Sequence, residues 1–177
     1  MSAYAYYLLA LSLLVMWLMM TGLLLLHEYG HAIAMRKLGL RDDKIVLGVF
    51  RIVSVKLFGV QHDFCLLPLI GYCISQDYAK ADSNRRAWVA LAGPVISAAG
   101  GLVFLGLNAV HPAWALSLLA QGSFILALMN SIPLPPFDGW TVAEHFLIKR
   151  GVRLSTLQRK QILAIGVGAI VVITLMM

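Results

Sequence analysis

Residues 27–31 read His-Glu-Tyr-Gly-His. Histidines four residues apart share one face of a helix, so His27 and His31 can reach a single metal ion. Glu28 is turned about 100° from His27 and stands beside that ion rather than on it. There it can take a proton from a water that zinc acidifies. These residues suit metal-assisted hydrolysis. A purely structural zinc site is the alternative, but it leaves Glu28 without a task. Catalytic zinc usually keeps three protein ligands and one open position. One ligand must therefore come from another segment.

The stretch Asn-Ser-Ile-Pro-Leu-Pro-Pro-Phe-Asp-Gly, residues 130–139, offers Asp138, the only acid between Asp82 and Glu144. Pro133, Pro135 and Pro136 exclude regular helix there. Irregular backbone at membrane depth is tolerated only where it is buried in protein or lines a water-filled cavity. An ordinary Asp-Gly turn is the bland alternative for Asp138. Glu144 is the competing third ligand, but it lies in a basic amphipathic stretch and is expected to face headgroups. Asp138 is preferred, and one Zn2+ per chain is expected.

A membrane must position these residues. The chain has 177 residues, of which 60% are hydrophobic and only 12% charged, far from soluble averages. It reads as a single domain, 1–177, of the membrane α-helical class. No Asp, Glu, Lys or Arg precedes Glu28. Four spans are expected, at about 3–35, 87–110, 113–132 and 161–177. No cleavable signal peptide is evident, so the first span is expected to stay. All 14 Lys and Arg residues fall between spans one and two or between spans three and four. The positive-inside rule then puts both basic loops in the cytoplasm and both termini outside. His27, Glu28, His31 and Asp138 all come at cytoplasmic ends of spans, in a multi-pass protein of the cell membrane. The net charge of +6 is thereby explained as an orientation signal, and no nucleic-acid partner is expected.

Between spans one and two, residues 52–58 alternate as a strand should, Gly59 breaks the alternation, and 64–75 read as a second extended segment. Pro68 confines the second to an edge. A small β-sheet or hairpin at the cytoplasmic membrane face is expected, with an interfacial helix over about 140–160, before the fourth span. Gly93, Ser97 and Gly101 repeat every four residues, which favours close helix packing. Cys65 and Cys73 match no common metal or redox spacing and are expected to be reduced and semi-buried. His62, His111 and His145 are expected to be solvated or interfacial.

The two main motifs together resemble the site-2 protease family, the intramembrane zinc metalloproteases. The resemblance runs from about Leu8 to Glu144. His27, Glu28 and His31 match its H-E-x-x-H. Asn130, Pro133, Pro135, Asp138 and Gly139 match its N-x-x-P-x-P-x-x-D-G, with Phe137 where Leu is usual. Pro68, Leu69, Ile70, Gly71 and Tyr72 resemble its P-L-G-G-Y segment, with Ile in place of the first Gly. Ala92, Gly93 and Pro94 open an A-G-P-x-x-N pattern that has Ser97 where Asn is common. The form is compact, without an evident PDZ or CBS domain. The resemblance implies zinc on His27, His31 and Asp138, with Glu28 as general base. It implies a transmembrane protein substrate whose unwound segment adds to the strand at Pro68–Tyr72. Asn130 can donate to the oxyanion or hold the substrate backbone; an interhelical hydrogen bond is its other reading. Rival functions are a membrane metal-binding or transport protein and a non-catalytic scaffold of protease ancestry. Homo-oligomerisation and a regulatory membrane partner stay open.

Overall fold

The computed structural model describes residues 2–176, with side chains through residue 168. The chain is mostly helical, with one two-stranded sheet. In order come α1 (Ala3–Lys37), β1 (Lys44–Leu57), β2 (Val60–Ile74), α2 (Gln76–Lys80), α3 (Ser83–Val110), α4 (Trp114–Asn130), α5 (Asp138–Lys149) and α6 (Thr156–Met176). By length and composition α1 and α3 can cross a bilayer, and α4 is apolar over 17 residues. This fits a membrane protein. The last expected span corresponds to α6, which starts five residues earlier than expected. Its side chains beyond residue 168, and residue 177, lie outside the described residues. The interfacial stretch expected at 140–160 is α5, a turn, and the start of α6.

Helix α3 is the centre of the packing, against α1, α4 and α5. The Asp82 carboxylate caps it by accepting from Arg85 N–H at 2.9 Å, as N-cap acids do. Helix α1 passes through HEYGH without interruption and ends just beyond Arg36 and Lys37, two cations that suit a helix C-terminus. Gly39 follows at φ +72°. Leu40 N–H then donates back to Met35 O at 2.9 Å, a glycine-dependent stop.

The strands are antiparallel and joined through Phe58 and Gly59, both at positive φ. That is the turn geometry matched to strand twist. Strand β1 starts eight residues before the expected 52–58. Its first part, Ile45-Val46-Leu47, is buried and continuously apolar, so alternation could not reveal it. Residues 44–47 pair with 71–74 on one side and with 61–64 on the other. They therefore lie between two parts of β2. Gly48 makes this possible, at φ +107° with Leu67 O where a Cβ would be. Among the described residues, the outer edge of 67–74 has no strand partner.

The hairpin also reaches back along α1, away from its HEYGH end. Trp17 Nε1 donates to Cys65 O and Leu66 O at 3.1 and 3.0 Å. Trp17 lies eleven residues before Glu28, ~16 Å back along the apolar helix. The physical reason is composition. The outer half of the hairpin carries Phe50, Ile52, Val53, Val55 and Leu57, all exposed. Such a ribbon is more stable beside an apolar helix than in water.

Candidate active site

Helices α1 and α3 cross where neither has a side chain. A Cβ on Gly30 would lie 2.6 Å from Ala92 O, and a Cβ on Gly93 would overlap His31 Nε2 and lie 2.8 Å from His27 Nε2. The backbone of α3 thus forms the floor under both imidazoles. The outer nitrogens of the rings are held from α3. His27 Nδ1 is 2.9 Å from Ser97 Oγ, and His31 Nδ1 donates to Val89 O at 2.8 Å. A carbonyl only accepts, so neutral His31 carries its proton on Nδ1 and presents a lone pair at Nε2.

Asp138 opens α5. Gly139, next to it, packs against Ser131 O and Ile132 O so closely that a Cβ has no room. This tucks the start of α5 under the end of α4 and directs Asp138 to the histidines. Asp138 Oδ2 is 3.1 Å from His27 Nε2 and 3.2 Å from His31 Nε2, and the two Nε2 atoms are 3.2 Å apart. A neutral His31 lone pair facing a carboxylate is unfavourable unless a cation lies between them. Tetrahedral zinc with bonds of ~2.0–2.1 Å separates its ligand atoms by ~3.3 Å. The observed triangle matches this donor spacing, so His27, His31 and Asp138 fit zinc.

Glu28 is buried and belongs to the same His-Glu-His cluster. Strand β2 covers it: Gly71 lies over Oε1, and Cys73 Sγ is 3.2 Å from Oε2. Burial, and then the Glu28 carboxylate, push the Cys73 thiol up, so the thiol is protonated and donates. A cavity of about 760 Å³ opens over these groups. Pro68, Leu69, Ile70, Gly71 and Tyr72 all line it, as do Leu23 of α1, Ile125 of α4 and Asn130. The Asn130 amide donates to Leu126 O in its own helix at 3.0 Å, and not across helices.

Several residues differ from their sequence reading. Glu144 is buried and pairs with Arg159 at 3.0 Å instead of facing headgroups. His62 is fully buried, not solvated: its Nδ1 donates to Val60 O and its Nε2 accepts from Tyr29 Oη, each at 3.0 Å. His111 is exposed, and His145 Nδ1 lies 3.1 Å from Ser83 Oγ. Ser97 and Gly93 read as packing residues but touch the imidazoles. Cys73 is free and partly buried, as expected, and it also touches Glu28. No periodicity marks these contacts, because they cross between elements. The serine at the family's Asn position was the one available signal.

The family model described as peptidase family M50 matches residues 15–113, more than half of the chain. A comparison with curated proteins finds no match. Among solved structures, the chain is similar to the Site-2 Protease from Methanocaldococcus jannaschii, at TM-score 0.57 and 23% identity over 78% of this chain. The chain spans 56% of the length of that archaeal protein, and the likeness is one of fold. The matched residues include His27, Glu28 and His31, and the chain therefore belongs to peptidase family M50, metalloproteases of the site-2 protease type.

Proposed function

We propose that this chain is a zinc-dependent intramembrane endopeptidase that hydrolyses a peptide bond within or near a transmembrane segment of another protein. The convergence of His27 Nε2, His31 Nε2 and Asp138 Oδ2 at mutual distances of 3.1–3.2 Å, with Glu28 beside them, carries this reading. A zinc ion held by these three residues supplies a Lewis acid and lowers the pKa of water. Glu28 takes a proton from the attacking water and returns it to the leaving amine. Ser97 and Val89 O hold the imidazoles in place. The unpaired edge at Pro68–Tyr72 receives the substrate as an added strand, which exposes a peptide bond that a helix would hide. Asn130 holds the substrate backbone or the developing oxyanion after leaving Leu126 O.

The chain sits in the membrane as four spans, α1, α3, α4 and α6. The active site faces the cytoplasm, and both termini lie outside. The distribution of the 14 Lys and Arg residues supports this orientation.

The test is cleavage of a reporter transmembrane segment by the purified protein, with bound zinc counted in parallel. The wild-type chain is expected to hold one zinc and cleave. Glu28→Gln should keep the zinc and lose cleavage by at least about a hundredfold. Asp138→Ala should lose most of the zinc, whereas Glu144→Ala should retain it. Undiminished cleavage by Glu28→Gln would end the proposal. Zinc retained by Asp138→Ala and lost from Glu144→Ala would reassign the third ligand.

A further inference from the structure

The mechanism above needs Glu28 in one orientation, and nothing on its own helix provides this. Its hydrogen-bond contact comes from the hairpin. Cys73 Sγ approaches both Glu28 Oε2, at 3.2 Å, and the Glu28 backbone carbonyl, at 3.5 Å. The backbone of Gly71, two residues earlier on the same strand face, lies against Oε1, with a Cβ there reaching only 2.5 Å from that oxygen. One carboxylate oxygen thus meets a donor and the other a surface with no side chain. Both residues line the cavity that a substrate would enter.

We propose that Cys73 is a positioning residue for the catalytic base. Its thiol donates to Glu28 Oε2 and limits rotation of the carboxylate, while the bare Gly71 backbone leaves room for Oε1. The same strand that would receive the substrate therefore also aims the base. This inference rests on the reading of Glu28 as general base, and it gives a specific task to a cysteine that otherwise only packs against the buried cluster of Leu24, Ala32, Ile45, Leu47 and Val60. The thiol is a weak donor, and its contribution lies in orientation.

Serine and alanine are almost the same size, but only serine keeps a donor, so the pair separates positioning from packing. In purified protein with a cleaved reporter segment, Cys73→Ala should lower kcat about fivefold, the scale of one lost ordinary hydrogen bond. KM should change little. Cys73→Ser should recover most of the loss. Zinc content should remain one per chain in all three proteins. Equal kcat for the serine and alanine variants would overturn the proposal and leave a packing role. A second measurement needs no activity. In a Cys65→Ser background, maleimide should label Cys73 faster in Glu28→Gln than in Glu28, because the negative charge beside the thiol is gone. An unchanged labelling rate also counts against it. A wild-type chain that does not cleave at all would instead sink the protease reading, while labelling still tests the contact.

Discussion

At the level of single residues, the centre depends on atoms one step removed from it. His27 can present Nε2 toward Asp138 only if something holds its other nitrogen, and Ser97 Oγ at 2.9 Å is that partner. Ser97 is 1% exposed, so water cannot replace the hydroxyl. Ser97→Ala should therefore weaken zinc binding about tenfold to a hundredfold, the usual cost of losing an outer-shell partner of a metal-bound histidine. Competition with a graded chelator reads this directly. Ser97→Thr retains the hydroxyl and should bind more tightly than the alanine variant. An alanine variant that binds zinc as tightly as wild type would reduce Ser97 to a packing residue. HEYGH and Asp138 were legible in the sequence because metal ligation needs particular side chains at particular spacings. Ser97 and Cys73 were not, since their tasks come from contacts between elements, 70 and 45 residues away in the chain.

At the level of elements, helices were easier to read than the hairpin. Long apolar runs bounded by charge define α1 and α3 within a few residues. The first part of β1 lies between two parts of β2, so it is apolar on both faces and lacks the period of two that marks a half-buried strand. A charge cluster fixes the bend. Burial would raise the Asp63 carboxyl, but hydrogen bonds from Lys44, Ser54 and Gln61 outweigh it and hold the group down, at about 2. A carboxyl lowered in the folded state contributes stability above its ordinary value of 3.8 and loses it as pH falls toward 2. The melting temperature of wild type in detergent should thus exceed that of Asp63→Asn at pH 6. The contribution is about 2 kcal/mol, as for a hydrogen-bonded charged group. The gap should close steadily between about pH 4 and pH 2. A gap that persists at pH 2 would show that packing, and not the charge, sets the difference.

For the whole molecule, the decisive question is which way the site faces. Helix α1 leaves most of its apolar surface uncovered, with Leu9, Leu13, Met16 and Leu18 all exposed, as a lipid-facing helix should. The cations are segregated: 14 Lys and Arg lie in two loops, and none lies before residue 36 or between α3 and α4. Under the proposed four spans, the positive-inside rule predicts α1's start and the 111–113 turn outside, and α2 and the α5–α6 turn inside. The prediction can be read with single cysteines in a Cys65→Ser, Cys73→Ser background. Cysteine at Ala3 or Pro112 should react with an impermeant maleimide in intact cells. Cysteine at Lys80 or Arg153 should react only after the membrane is opened. Labelling of Lys80→Cys and Arg153→Cys from outside, with Ala3→Cys protected, would invert the chain and place the site on the outer face. Reaction of Arg153→Cys alone from outside would instead remove one span between α3 and α5, separating Asp138 from the helix that carries the histidines. That outcome conflicts with Asp138 Oδ2 at 3.1 Å from His27 Nε2, so the same experiment tests the membrane topology and the assembly of the proposed zinc centre together.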